Sequence, residues 1–288
     1  MVRNRMPTPV PRTLEKALDL LRVVVEDGGQ RSFSKLAQDV ALPASTAHRL
    51  GVVLERYGFI LRERPGRYLP GPWLMAFARR FDERTVLARI SRPILRELSQ
   101  RWRQTVHLGV LEDSMVTYLA KAAHGPAAEF TREDMQLEAY CSGIGKVLLA
   151  NVSPAARARY LSDGPFVALT SNTIVDPELL RKHLEEVEVQ GWAFDDAEVF
   201  EDLKCLAVPV MGADCSVIAA ISISAPAPTF EGCRREQALA ALRDAAVCIE
   251  RRMAGRAFVA SSLLAPRSKS PLLSDDPVVG CKSCGSQP

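Results

Sequence analysis

The sequence has no long apolar run and no recognisable secretion signal. None of its segments approaches the ~20 consecutive apolar residues that a membrane-spanning helix needs, and its N-terminus lacks the apolar core of a signal peptide. The hydrophobic content of 47% is ordinary for a globular protein, and 288 residues suffice for two domains. We therefore expect a folded protein that stays in the cytoplasm and has no membrane partner.

Sequence patterns typical of enzymes are also absent. The chain contains no Gly-x-Ser-x-Gly turn, no His-Glu-x-x-His pair and no phosphate-binding P-loop. Its four histidines are not spaced with acidic residues as metal ligands are. We expect a protein that is not an enzyme and that uses no metal and no cofactor.

The cysteines do not form a disulfide framework. There are seven, an odd number, and most lie inside apolar runs, which is typical of reduced, intracellular proteins. Cys281 and Cys284 form a lone Cys-x-x-Cys pair in a tail rich in Ser and Pro, without a second pair to complete a zinc site. The sequence does not assign this pair a role.

The charge is unevenly distributed along the chain. Residues 1–84 hold 15 Lys and Arg against 9 Asp and Glu, whereas the remainder holds 22 against 25. A basic first part and a mildly acidic remainder indicate an anionic partner for the first part alone. A merely arginine-rich surface is the alternative. Residues 1–12 contain three prolines and three arginines and are predicted to be a disordered basic arm, with an untethered terminus that has no role as the alternative.

A helix-turn-helix pattern follows a first helix that begins near Thr13 and is expected to be buried scaffold. The second helix is predicted over residues 34–40, and Pro43 suits the first position of the third because its missing N–H would have no intrahelical partner there. Apolar residues then recur every three or four positions from Ala47 to Tyr57, which predicts a buried stripe. The exposed start of this helix therefore carries Ser45, Thr46, His48 and Arg49.

These residue types at this position are what a recognition helix needs to contact the major groove. A solvated helix start would look the same, and His48 suits a packing role equally well. Residues 59–61 and 67–69 flank a Pro-Gly turn and predict a β-hairpin, or wing, with arginines near its tip. The candidate DNA contacts are Ser34, Ser45, Thr46, His48, Arg49, Arg62, Arg64 and Arg67.

The rest of the chain predicts an α+β fold in which a second domain is built on an antiparallel sheet. We divide the whole chain after residue 12 into a winged helix-turn-helix domain at residues 13–72, a linker helix at 73–90, an effector-binding domain at 91–260 and a disordered tail at 261–288. One continuous helical pattern runs from Trp73 to Trp102, with Pro93 as a position where it can kink or divide.

Three features of the second domain indicate a pocket. The glycines of Ser142-Gly143-Ile144-Gly145 precede a short helix, where unpaired backbone N–H groups can bind a carboxylate, although a plain capping turn has the same sequence. Ser222 and Ser224 alternate on an apolar strand and share one face. Asp195 and Asp196 follow a short strand, where they would either close the pocket or lie in a solvated loop.

Six segments, in this order, resemble the isocitrate lyase regulator (IclR) family of bacterial transcription factors: LEKALDLL at 14–21, LPASTAHRL at 42–50, GRYL at 66–69, GKVLLA at 145–150, GWAFDD at 191–196 and CLAVPV at 205–210. The resemblance implies a winged helix-turn-helix, a linker helix and a GAF-like effector domain. It also implies homodimers or dimers of dimers on palindromic double-stranded DNA operators, and a small organic acid effector from a catabolic pathway. The implied effector contacts are Gly143, Ile144, Asp195, Cys205, Ser222 and Ser224.

The chain departs from the family pattern at two positions. Tyr140 stands where the family often has His, and Asp134 stands where it has an upstream Gly. Tyr140 suggests the hypothesis that the effector is an aromatic acid stacked on its ring. The alternative to a regulator is an enzyme or small-molecule sensor that uses the helix-turn-helix only as a protein-interaction module, and it predicts no salt-sensitive binding to DNA.

Overall fold

The computed structural model describes residues 12–80, 82–125 and 131–262, with side chains up to residue 254. Its residues fall into two compact units that divide between Leu87 and Ala88. Most of the predicted basic arm, nearly all of the predicted tail and the pair Cys281 and Cys284 lie outside the described residues.

The first unit is a winged helix-turn-helix, as the sequence predicts. Its elements are α1 (Arg12–Asp27), α2 (Phe33–Asp39), α3 (Ala44–Arg56), β1 (Ile60–Arg64), β2 (Arg67–Pro70) and α4 (Pro72–Ala78). The turn between α2 and α3 is tight because Ala41 adopts a left-handed conformation with φ of 51°. Leu42, buried after it, packs in one core with Leu36, Ala47 and Leu54. Antiparallel β1 and β2 form the wing.

Part of the predicted core of this unit is exposed instead. Leu14 and Leu18 of α1 are more than half exposed, and Val25 is 42% exposed. The reason is that α1 has apolar residues on two faces, and the face that packs inward carries Leu20, Val23 and Val24. Tyr57, predicted to end the buried stripe of α3, lies one residue beyond the helix and is 62% exposed.

The helical pattern predicted as one continuous segment is two helices. α4 ends at Ala78, and α5 runs from Glu83 to Trp102 without a break at Pro93. Asp82 explains the new start, because its carboxylate accepts hydrogen bonds from the Arg84 N–H (3.1 Å) and the Thr85 hydroxyl (2.7 Å). An acidic side chain in this position caps the free N–H groups of a helix.

The second unit is built on a six-stranded sheet with strand order β5-β4-β3-β8-β7-β6, in which all neighbours are antiparallel. The strands are β3 (Thr105–Glu112), β4 (Met115–Ala122), β5 (Gln136–Glu138), β6 (Ala193–Phe200), β7 (Leu203–Met211) and β8 (Val217–Pro226). The predicted α+β class is confirmed by this sheet together with its helices.

Helices cover both faces of this sheet. α6 (Gly143–Ala150) packs on β3, β7 and β8, with α7 (Pro154–Ser162) and α8 (Pro177–Gln190) beyond it. α9 (Arg234–Ser262) packs on β7 and β8, and its Arg235 lies over the ring of Phe194, which faces away from Asp195. α8 begins after Asp176, whose side chain accepts the N–H groups of Glu178 and Leu179, and ends at Gly191, whose φ is 74°.

Candidate functional site

The exposed face of α3 carries the predicted DNA contacts. Ser45, His48 and Arg49 are exposed and Thr46 is half-buried, because the opposite face of the helix packs Ala47 and Leu50 into the core. Ser34 is exposed at the start of α2, with its hydroxyl 3.3 Å from that of Ser32. These side chains therefore have the accessibility that groove contacts require.

The three wing arginines differ in their exposure and in their contacts. Arg62 and Arg64 are exposed on β1, and Arg64 lies 3.7 Å from the carboxylate of Glu63. Arg67 is half-buried, and its guanidinium donates to the backbone carbonyls of Gly29 (3.0 Å) and Gln30. Arg67 lies near the wing tip, as predicted, because it directly follows the turn formed by Pro65 and Gly66; a contact with DNA stays a prediction. Arg67 sits at the start of β2 and fastens the wing to the loop after α1.

In the second unit, strand register brings polar side chains into one cavity. Asp195 of β6 pairs with Cys205 of β7, which in turn pairs with Ser224 of β8. Ser222, two residues earlier on the same face, pairs with His107 of β3. All five line a cavity with about 460 Å³ of empty space, part of it open to solvent. Only about 30 Å³ of that space can hold the centre of a water molecule, so the cavity is narrow.

The start of α6 forms another wall of this cavity. Gly143 and Ile144 line it, and their N–H groups have no acceptor within the helix because they belong to its first turn. The side chain of Ser142 caps α6 by accepting the Gly145 N–H at 3.1 Å. Gly145 permits a close approach, since a Cβ there would lie 2.1 Å from the carbonyl oxygen of Ala139. The cavity thus faces a helix N-terminus, which favours an anion.

His107 contributes a neutral imidazole to the cavity. Burial, and to a lesser extent the charge of Lys121, lowers the pKa of His107 to about 3. Its Nε2 lies 2.7 Å from the Thr131 hydroxyl and its Nδ1 3.5 Å from that of Ser224. The ring stacks on Tyr118 with 4.5 Å between centroids. One ring nitrogen therefore donates while the other accepts, beside a flat aromatic surface.

The acidic groups of the cavity are also perturbed by burial. Asp195 is 2% exposed, and its Oδ1 accepts the backbone N–H of Glu198 at 2.7 Å. Burial raises the pKa of Asp195 to about 7. The Cys205 thiol donates to the Ser224 hydroxyl at 3.1 Å, and burial raises its pKa well above the usual value. Neither group is a permanent negative charge near neutral pH.

A buried ion pair joins two walls of the cavity. Lys146 of α6 is fully buried and donates to the carboxylate of Glu198 on β6, which is 3% exposed. Burial raises the pKa of Glu198, and the charge of Lys146 opposes that shift. The pair therefore fixes α6 against β6 directly behind Asp195 and Ile144.

The wall formed by β6 is irregular. Its pairing with β7 breaks between Asp195 and Phe200, and Ala197 has a φ of 60°. Side chains from the loop before α8 hold this bulge by donating to three successive carbonyls. These bonds run from Asn172 to Asp196 (2.9 Å), from Thr170 to Ala197 (2.8 Å) and from Thr173 to Glu198 (2.7 Å).

Tyr140 does not face the cavity, so the structural basis of the stacking hypothesis is wrong. Its ring stacks on Phe166 at 4.7 Å in the core, and its hydroxyl donates to the carbonyl of Val167 at 2.8 Å. Asp196, for which the sequence left open closing the pocket or lying in a solvated loop, is exposed and forms an ion pair with Lys204 at 2.5 Å. The cavity wall at β6 is instead completed by Val199 and Phe200.

The sequence prediction of the site missed His107, Tyr118 and Thr131. His107 lies between the apolar residues Val106 and Leu108 on β3, so its side chain points to the opposite face of the strand from theirs. Because His107 pairs with Ser222, that face is the one that carries Ser222 and Ser224 on β8. That alternation was visible in the sequence, but it indicates a site only once β3 and β8 are known to be neighbours. Tyr118 and Thr131 gave no comparable signal.

Within residues 12–80, 82–125 and 131–262, no three His, Cys, Asp or Glu side chains lie together in a way that could hold a metal ion. No helix in that part of the chain is both long enough and apolar enough to cross a membrane.

These features define a winged helix-turn-helix protein with a second, cavity-bearing domain. Two family descriptions match the chain: the IclR helix-turn-helix domain over residues 13–64 and the bacterial transcriptional regulator IclR C-terminal domain over residues 82–251. The chain therefore belongs to the IclR family of helix-turn-helix transcriptional regulators, whose named members are regulators and not enzymes.

Individual relatives resemble the chain over most of its length. The transcriptional repressor IclR of Escherichia coli is 30% identical over 226 residues, which are 75% of this chain and 80% of the relative. The regulator BhcR of Paracoccus denitrificans is 29% identical over 238 residues, or 82% of this chain and 84% of the relative. An IclR homolog from Microbacterium hydrocarbonoxydans, solved with 4-hydroxybenzoate, has 28% identity and a TM-score of 0.55, covering 84% of this chain and 98% of its own.

Proposed function

We propose that this regulator controls a catabolic operon in response to a small organic acid bound in the cavity between α6 and the sheet. The observation that carries the proposal is the convergence of the α6 N-terminus with Ser222 and Ser224 on one enclosed space. Backbone N–H groups and hydroxyls can together satisfy a carboxylate without a cation beside it. We further propose that it acts as a homodimer or dimer of dimers on a palindromic operator.

An aromatic acid is the form of effector that we favour. The stacked rings of His107 and Tyr118 offer a flat wall beside the serines, and aromatic rings pack well on such surfaces. The similar Microbacterium protein was solved with 4-hydroxybenzoate. This support replaces the argument from Tyr140, whose ring lies in the core.

The effector would act by changing the preferred spacing of two DNA-binding units in an oligomer. A ligand shifts such an equilibrium only as far as it binds one arrangement more tightly than the other. In this proposal Ser45, Thr46 and Arg49 contact the major groove, while Arg62 and Arg64 contact the flanking backbone or minor groove. Ser34 and His48 are further candidates near the same surface.

The DNA interface is tested by Arg49→Ala. We expect it to weaken binding to the DNA upstream of the chain's own gene by about 1 to 3 kcal/mol, because Arg49 is exposed on α3 and free to pair with a base or phosphate. Gel-shift titrations at several salt concentrations measure the affinity and its salt slope. Arg159→Ala, which removes an exposed arginine from α7, is the matched control. Equal affinities for both variants would remove Arg49 from the interface.

The effector site is tested by calorimetric titration of the full chain with 4-hydroxybenzoate and with propionate. The double change Ser222→Ala and Ser224→Ala should weaken binding of the preferred acid about tenfold or more, at ~1 kcal/mol for each lost hydrogen bond. Tyr140→Phe is the control and should bind normally, because the Tyr140 ring stacks on Phe166 and its hydroxyl donates to the Val167 carbonyl rather than into the cavity. Binding of propionate alone would contradict the aromatic preference.

A further inference from the structure

Two buried carboxyl groups, one of which lines the cavity, lie near a single ammonium group. Lys146, Glu198 and Asp195 are all at most 3% exposed. The ammonium of Lys146 donates to Glu198, and the backbone N–H of Glu198 donates to Asp195. Asp195 thus has a backbone donor, but the lysine is engaged by its neighbour.

A second buried carboxylate without its own cation is unfavourable, because burial removes the hydration that stabilises the charge. A proton on one carboxyl relieves that cost. Glu198 holds the ammonium, so Asp195 is the group that takes the proton. Consistent with this arrangement, burial raises the pKa of Asp195 to about 7; the backbone hydrogen bond from Glu198 opposes this shift, and the charge of Glu198 adds to it.

The other groups that face Asp195 do not reverse this shift, although the charge of Lys146 and the hydrogen bond from the Cys205 thiol both lower the pKa of Asp195. Two thiols lie nearby, that of Cys205 on β7 and that of Cys141 just before α6, together with the phenol of Tyr118 on β4. Burial raises the pKa of all three groups. His107 on β3 is neutral near pH 7 because its pKa is low. Lys121 on β4 donates to the carbonyl of Thr131 on the far side of His107.

An anionic effector would bring another negative charge into this space. Asp195 can donate a hydrogen bond to that charge only in its protonated form, whereas its ionised form would repel it. We propose that the cavity binds an anionic effector together with one proton, which Asp195 holds and shares with the ligand as a hydrogen-bond donor. This inference rests on the proposed effector function, in which Asp195 is already an implied effector contact, and adds the proton that Asp195 carries when the effector binds.

The proton on Asp195 is tested first without a ligand. Side-chain carboxyl ¹³C resonances of the full-length protein are followed from pH 4 to 8.5, and Asp195→Asn identifies the resonance of Asp195 by its loss. We expect this resonance to titrate near neutral pH. Titration near the ordinary value of about 4 would overturn the inference. Matching circular dichroism spectra would establish that the variant is folded.

Proton uptake with the ligand is tested by calorimetry with 4-hydroxybenzoate in buffers of different ionisation enthalpy. We expect affinity to fall about 30-fold from pH 6 to pH 8.5, as follows when only the form protonated below a pKa near 7 binds. Asp195→Asn, whose amide donates at every pH, should bind with a nearly flat pH profile. The neutral analogue 4-hydroxybenzamide should show no proton uptake with either protein.

The two experiments separate the possible failures. If neither 4-hydroxybenzoate nor propionate binds the protein, the proposed effector function fails for these acids, while the carboxyl titration still decides the state of Asp195. If 4-hydroxybenzoate binds without proton uptake and with equal affinity at pH 6 and 8.5, the proton-linked role of Asp195 is refuted and the effector function stands.

Discussion

Replacing Lys146 by methionine should destabilise the second unit strongly. Methionine matches the length and volume of lysine, so the change removes the ammonium without leaving a large cavity. Glu198 would then be a buried carboxylate with no cation, next to the buried carboxyl of Asp195. Breaking a buried pair from one side costs about 3 to 5 kcal/mol, because the remaining charge has lost its compensation.

The loss should depend on pH in a defined direction. Burial already raises the pKa of Glu198, and removing Lys146 abolishes the charge that opposes this shift. A carboxyl whose folded pKa exceeds its unfolded pKa binds more protons in the folded state, so its folded form loses stability as the pH rises through that window. Relative to the parent, the Lys146→Met variant should therefore lose up to about 1.4 kcal/mol per pH unit between the raised pKa of Glu198 in the parent and its still higher pKa in the variant.

Urea denaturation of the full chain at pH 5 and pH 8, followed by circular dichroism, measures both effects. The double change Lys146→Met and Glu198→Leu is the control, and its stability should approach that of the parent or exceed it, because an apolar pair of similar volume carries no desolvation cost. A single variant that loses less than about 1 kcal/mol at pH 8 would refute the account of this ion pair. So would a double variant that is as unstable as the single one.

Two other substitutions test assignments made from geometry. Arg67→Ala should lower the free energy of unfolding of the first unit by about 1 to 3 kcal/mol, because the Arg67 guanidinium donates to the Gly29 carbonyl. Arg62→Ala should leave that free energy within about 0.5 kcal/mol and should reduce the salt slope of DNA binding instead. The reverse pattern in urea and gel-shift titrations would exchange their roles. Asp134→Gly should change stability by less than about 1 kcal/mol, since relief of its left-handed conformation, with φ of 61°, is offset by the added flexibility of glycine. A loss well above that in thermal denaturation would indicate that the Asp134 side chain has a structural role.

The local patterns of the sequence predicted most of the first unit because its elements are specified by neighbouring residues. The exposure of Ser45 and Arg49 follows from the spacing of Ala47 and Leu50 on one helix. Arg67 could not be assigned in this way, because its carbonyl partner at Gly29 lies 38 residues away in the chain. Its role depends on this tertiary contact, which the residues next to Arg67 in the sequence do not predict.

The sequence predicted those lining residues of the cavity that lie together on one strand or in one turn. The alternation of Ser222 with Ser224 and the glycines before α6 are local signals, and both line the cavity. Tyr140 was misleading because it lies two residues before the capping Ser142, yet its ring points into the core. Lys146 and Glu198 are 52 residues apart, so their pairing could not be inferred from spacing.

The loop that holds the β6 bulge offers a route by which specificity can change. Asn172, Thr170 and Thr173 fix three successive carbonyls of the bulge, yet none of them lines the cavity. A substitution in this loop would shift the backbone that carries Asp195 while leaving every ligand-contacting side chain unchanged. Relatives with identical pocket residues could therefore diverge in the molecules they answer to, and comparing pocket residues alone would not detect it.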